Sequence, residues 1–236
     1  MNIGVIGAID QEIKVFKKII NYKKIKIIGK FQIYIGKLQK NNIFLIKSGI
    51  GKVSASIASM LLIHFFKPNI IINIGAAGGL HDKLKIGDII IPNQLCYYDV
   101  NLTQFGYCIG QIPNYPIRFN INKKLYNILK ETAIKFRFKF VTGLLVTGDS
   151  FVSGDDLINK VKFQFSSAIA VEMESAAIAQ VCYQFHTPLI IIKSISDLSN
   201  KQAALNFKKN IFIASLQSSN LAKLILENAK FCKSIE

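Results

Sequence analysis

Short apolar runs that end in glycine, serine or an acid alternate along this chain with longer segments whose apolar residues recur every three or four positions. That alternation specifies strands feeding helices, and so a sheet covered by helices on both faces. Met1 to Ala8 reads as a buried strand, followed by a helix from about Ile9 to Ile20 with Ile9, Ile13, Phe16 and Ile20 on one side. Lys26 to Ile28, Phe31 to Leu38 and Ile43 to Lys47 form a strand meander. Ser48 to Lys52 opens a helix over Val53 to Phe65, and Ile70 to Gly75 is an apolar run, interrupted only by Asn73, of the kind buried on both faces. Gly75 to Gly79 follows with no side chain larger than methyl, so backbone N–H groups and a bound ring can come close there. Ala76, Ala77 and Gly78 of this run are candidates for substrate contact.

Ile86 to Ile91 is a further strand, and Pro92 to Phe119 reads as a long irregular connection, a length usually reserved for function. The remainder predicts helix 122–136, strand 138–146, helix 155–163, strand 168–171, helix 174–183, strand 189–195 and a final helix from about 203 to 229. The expected architecture is one α/β domain over residues 1–236, three layers deep, around a mixed, mostly parallel sheet. Ligands in such folds bind beyond the carboxyl ends of the strands.

The chain has 236 residues, half of them apolar and 19% charged, which suits one sizeable core. Neither Ile57–Phe66 nor Ile70–Leu80 reaches the roughly 20 apolar residues that cross a bilayer. No signal-peptide pattern precedes the first strand, so the expectation is a cytoplasmic protein without membrane contact. Cys96, Cys108, Cys182 and Cys232 have neither disulfide-framework nor metal-type spacing. The net charge of +16 raises the question of nucleic acid, but the basic residues are lysines scattered along the chain, apart from Arg118 and Arg137. Recognition of bases and phosphates usually also draws on arginine forks, so no nucleic-acid partner is expected.

No cofactor or metal is expected. His64, His81 and His186 lack ligand spacing, and the glycine motifs complete neither a dinucleotide fingerprint nor a P-loop. What remains is a set of acids at strand ends and helix starts: Glu12, Asp149, the Glu172/Glu174 pair and Asp197. Each has a structural reading as well. An acid in a first helical turn suits the unpaired N–H groups, Asp149 suits a turn, and Glu172 and Glu174 point to opposite faces if extended. Two separated carboxyl groups can also hydrolyse a glycosidic bond, one activating water and the other protonating the leaving group.

The stretches Ile3-Gly-Val-Ile-Gly-Ala-Ile-Asp-Gln-Glu-Ile13, Lys47-Ser-Gly-Ile-Gly-Lys-Val53, Ile71-Ile-Asn-Ile-Gly-Ala-Ala-Gly-Gly-Leu80, Gly148-Asp-Ser-Phe151, Ala170-Val-Glu-Met-Glu-Ser-Ala176 and Ser194-Ile-Ser-Asp197 together resemble the 5′-methylthioadenosine/S-adenosylhomocysteine nucleosidases. These belong to the purine nucleoside phosphorylase and uridine phosphorylase superfamily. The resemblance implies a nucleoside phosphorylase-like fold and hydrolysis that releases adenine from methylthioadenosine, adenosylhomocysteine and 5′-deoxyadenosine in methionine salvage. It implies that Glu12 activates water, that Asp197, steadied by Ser196, protonates adenine N7, and that Glu174 beside Met173 binds ribose hydroxyls. Phe151 and the backbone of Val152 then meet adenine, while Ile9, Ile50 and Phe207 line the alkylthio pocket. Leu102, Phe105 and Pro113 would complete that pocket from a second subunit, which implies a homodimer. Two positions depart from the family pattern: Lys193 stands where arginine is usual, with one ribose or water contact still expected of it, and Ala76 stands where serine is common. The alternatives are a phosphorylase using phosphate in place of water and a non-enzymatic polyanion binder.

Overall fold

The computed structural model describes residues 1–81 and 83–234. Strand β1 (Asn2–Gly7) leads through Ala8 and Ile9 into helix α1 (Asp10–Ile20), which buries Ile13, Phe16 and Ile20 and ends at Asn21 in the left-handed conformation. Strands β2 (Lys24–Ile28), β3 (Phe31–Leu38) and β4 (Asn41–Lys47) form the antiparallel meander, and β4 returns parallel to β1. Helix α2 (Lys52–Phe66) carries the chain to β5 (Ile70–Gly79). Then follow β6 (Ile89–Tyr97), a single 3₁₀ turn at Thr103–Phe105, β7 (Phe119–Asn120), α3 (Lys123–Lys135), β8 (Phe140–Thr147) and α4 (Asp155–Gln164). The chain closes with β9 (Ala168–Glu172), α5 (Ser175–Gln184), β10 (Leu189–Asp197), α6 (Ala203–Leu226) and α7 (Ala229–Lys233).

Alternation along the central strands builds two cores. Ile72, Ile74, Ile190 and Ile192 pack on one face with Phe16, Leu129, Leu221 and Ile225 from α1, α3 and α6. Ile71, Ile191 and Ile195 pack on the other with Ala58, Leu62 and Ile178 from α2 and α5. Burial of each such side chain contributes about 1.5–3 kcal/mol, which explains why the first halves of these strands read as largely apolar runs. A third cluster, including Val146, Val161 and Phe165, seats α4. Among the described residues, no helix is long and apolar enough to cross a membrane.

The sheet is mixed. Parallel sets β4–β1–β5–β10 and β6–β8–β9 are joined by antiparallel contacts of β10 with β6 and of β5 with β9, so β5, β10, β6, β8 and β9 close into a ring. Strand β5 changes neighbour on one edge: Ile70–Asn73 lie beside β1, while Gly78 and Gly79 lie beside β9. Between those registers, residues 74–77 have no strand partner on that edge, and the seam opens there.

Three boundaries differ from the sequence reading. The strand read as far as Gly75 runs on through the small residues to Gly79, because its other edge stays paired with β10. Strand β6 continues through Pro92, which lacks an N–H to donate, by means of a register shift between Pro92 and Gln94. The final helix is interrupted at Asn228, whose side chain accepts the N–H of Lys230 and starts α7.

Candidate active site

Glu12 sits in the first turn of α1. Its Oε2 accepts the backbone N–H of Ala8 (2.6 Å) and of Ile9 (3.2 Å), while Oε1 crosses the open seam to the N–H of Ala76 (2.8 Å). The structural reading of this residue holds: it satisfies the helix start and also fills the edge that β1 and β9 leave unpaired. Gly75 makes this possible. Its φ is +144°, and a Cβ there would overlap the Glu12 carboxylate.

Asp197 ends β10 and is buried. Its Oδ2 accepts the Ser196 hydroxyl (2.9 Å) and its Oδ1 accepts the Ser199 N–H (2.9 Å). Burial raises its pKa above the ordinary carboxylic value, against the pull of those two donors. Gly78 lets β5 approach: a Cβ there would lie 2.5 Å from Ser199 Oγ and 3.0 Å from Asp197 Oδ1.

Glu174 follows β9 and accepts the N–H of Gly51 (2.9 Å). Gly51 is held in turn by the start of α2, where Asp149 accepts the Lys52 N–H (2.8 Å) and the Lys52 ammonium lies 2.8 Å from Asp99. Burial first, and then the charge of Glu172, push the Glu174 pKa up to about 8, against the Lys193 ammonium and the Gly51 N–H.

Glu172 is the best-anchored acid of the group. It accepts the Thr147 hydroxyl (2.5 Å), the Ser175 hydroxyl (2.8 Å) and the N–H groups of Glu174 and Ser175. Lys193 on β10 points at it, with Nζ 3.1 Å from Glu172 Oε2 and 4.0 Å from Glu174 Oε2. Burial works against the Lys193 charge, but Glu172, Glu12 and Glu174 outweigh it and raise its pKa.

These groups surround one cavity of about 290 Å³. Of the residues singled out in the sequence, Ile9, Glu12, Ile50, Ala76, Ala77, Gly78, Phe151, Val152, Met173, Glu174, Ser196, Asp197 and Phe207 all line it. Phe151 and Phe207 meet edge to face, with ring centroids 5.9 Å apart. The Tyr98 hydroxyl donates to the Ser150 carbonyl and accepts the Ser150 N–H, which fixes the loop carrying Phe151.

Lys193 requires a correction. Expected at a ribose or water, it lies behind the cavity wall, fully buried against Glu172, because two carboxylates on that side need a counter-charge more than the cavity needs a cation. Leu102, Phe105 and Pro113 lie on the connection after β6 and do not line the cavity of their own chain; Phe105 is 75% exposed. Asp149 serves the α2 start, and none of the three histidines lines the cavity. Glu172 and Glu174, expected on opposite faces of an extended segment, both line the cavity, because the backbone leaves the extended conformation at Glu174 (φ −131°, ψ −39°) as α5 begins. Ser199 and Lys208 also line it and were not singled out in the sequence. Among the described residues, no group of three or more His, Cys, Asp or Glu side chains could hold a metal ion.

Residues 2–228 match the phosphorylase superfamily model. The chain is 60% identical over 235 residues to the 5′-methylthioadenosine/S-adenosylhomocysteine nucleosidase of Buchnera aphidicola subsp. Schizaphis graminum, covering 100% of both chains. Among solved structures it is similar to the nucleosidase of that name from Neisseria meningitidis in complex with methylthio-immucillin-A (TM-score 0.93, 36% identity, 96% of this chain and 98% of that one). It is also similar to the S-adenosylhomocysteine nucleosidase of Streptococcus pyogenes in complex with 5-methylthiotubericidin (TM-score 0.94, 34% identity, 97% of each chain).

Proposed function

This chain belongs to the 5′-methylthioadenosine/S-adenosylhomocysteine nucleosidase family of the phosphorylase superfamily, and from that premise we propose how its buried carboxyl groups divide one reaction. The protein hydrolyses the N-glycosidic bond of methylthioadenosine and adenosylhomocysteine, releasing adenine, in methionine salvage. Asp197 is the acid. Its proton passes to adenine N7 as the bond from ribose C1′ to N9 breaks and the electron pair enters the purine. Glu12 is the base, accepting a proton from the water whose oxygen forms the new bond at C1′. Glu174 holds ribose hydroxyls beside Met173, Phe151 stacks on adenine, the Val152 backbone meets its edge, and Ile9, Ile50 and Phe207 enclose the thioether. The 5′-deoxy compound, which lacks only the thioether, is a further substrate on this reading. Leu102, Phe105 and Pro113 cover the same pocket in a second copy, so the working form is a homodimer, acting in the cytoplasm.

The observation that carries this assignment is that Glu12, near one end of the chain, and Asp197, near the other, line one cavity with their oxygens fixed by hydrogen-bond donors. A phosphorylase would need an anion cradle beside the ribose, and neither Arg118 nor Arg137 lines the cavity. Adenine release from methylthioadenosine, followed by liquid chromatography with and without phosphate, tests the reading. Phosphate-independent release is expected, and complete dependence on phosphate would overturn it.

A further inference from the structure

The cavity has a strong polarity. Glu12, Glu172, Glu174 and Asp197 line its interior, and among the described residues that line it Lys208 is the sole cation. Lys208 lies on α6 one turn beyond Ala204 and next to Phe207, both of which also line the cavity, so one helix face runs from its apolar wall to its exposed mouth. Among the described residues Lys208 has no ion-pair partner, whereas nearby Lys201 is taken by Asp155 at 2.9 Å. A free ammonium at the mouth of an acidic cavity suits a substrate that places hydroxyls inside and an anion outside. The two substrates differ in that respect: methylthioadenosine ends in an uncharged methyl group, and adenosylhomocysteine continues from the same sulfur to a carboxylate.

We propose that Lys208 is the residue that recognises the carboxylate of adenosylhomocysteine and so sets the preference between the two substrates. The inference rests on the nucleosidase reading above and adds the anionic end of the substrate to it. One exposed ion pair changes an equilibrium by up to about fivefold, and reversing the charge changes it further. The α-ammonium is borne on the same carbon as the carboxylate and offsets part of that gain.

The test is the ratio of kcat/KM for adenosylhomocysteine to that for methylthioadenosine, measured at low ionic strength in the full-length protein and in Lys208→Gln and Lys208→Glu. The ratio should fall about threefold in the first variant and about tenfold in the second, and 0.5 M salt should shrink both effects. An analogue of adenosylhomocysteine whose carboxylate is replaced by hydrogen serves as the control, and its ratio to methylthioadenosine should not fall. An unchanged ratio for adenosylhomocysteine overturns the inference alone, as does an equal fall for the control analogue, which would mark a general effect on long tails. Failure of the unaltered protein to release adenine from any of the three compounds overturns the parent reading and this one together.

Discussion

Asp197 is buried and its pKa is raised above the ordinary carboxylic value, the direction that favours keeping a proton for the departing purine. Asp197→Asn preserves the shape and cannot donate an acid proton, so turnover should fall by about 10²- to 10⁴-fold while a non-hydrolysable analogue still binds by calorimetry. Near-normal turnover would remove Asp197 from the role of acid. Glu174 yields a prediction about stability. Its pKa is raised from 4.5 to about 8, so the folded protein holds a proton that the unfolded chain releases. Its contribution is fully present below pH 4.5 and is lost as pH rises through about 8. Glu174→Gln should therefore flatten the decline in urea-unfolding free energy over that interval, and an unaltered slope would show that Glu174 does not titrate there.

At the level of strands and helices, the site depends on places where ordinary pairing stops. The unpaired stretch of β5 leaves the Ala76 N–H for Glu12, and Gly75 provides the space. Gly75→Ala should displace that carboxylate, lowering kcat at least about 100-fold, on the scale of a lost general base, with a stability cost of about 1–3 kcal/mol for the strained backbone. Wild-type kcat in a folded variant would contradict the placement of Glu12. On the neighbouring strand, Lys193→Met removes the counter-charge from buried Glu172 and should cost about 3–5 kcal/mol in chemical denaturation. A merely ribose-facing lysine would leave stability nearly unchanged. Periodicity and punctuation made most of these elements legible in the sequence, because the first halves of strands such as β10, over Leu189–Ile192, are buried on both sides and hold only branched apolar residues. The resemblance to known nucleosidases supplied the site residues that local pattern could not rank. Less legible were features decided by distant partners. Gly75 to Gly79 is strand because β10 lies beside it, Pro92 is tolerated at a register shift, and Lys193 turns toward a glutamate brought to it by another strand.

Across the whole molecule, Val53 (70% exposed) and Ile57 on α2 line one surface groove together with Val100 and Ile112 of the connection after β6. Such surface rimmed by polar groups suits association between subunits. On the proposed dimer, sedimentation velocity should give a dimer, and Val53→Asp with Ile57→Asp should yield monomers with raised KM, because the pocket cover proposed for Leu102, Phe105 and Pro113 would be lost. A monomeric unaltered protein with full activity would refute that arrangement. The ring of five strands carries a consequence in time as well as in space. Strand β5 cannot meet β9 until some ninety further residues have been made, and Asp197 is made well over a hundred residues after Glu12. A nascent chain can raise its first helix and meander early, yet it has nowhere to gather the reacting groups until the barrel-like closure is complete. Truncated products should consequently be inert toward nucleosides, whatever local structure they manage to keep.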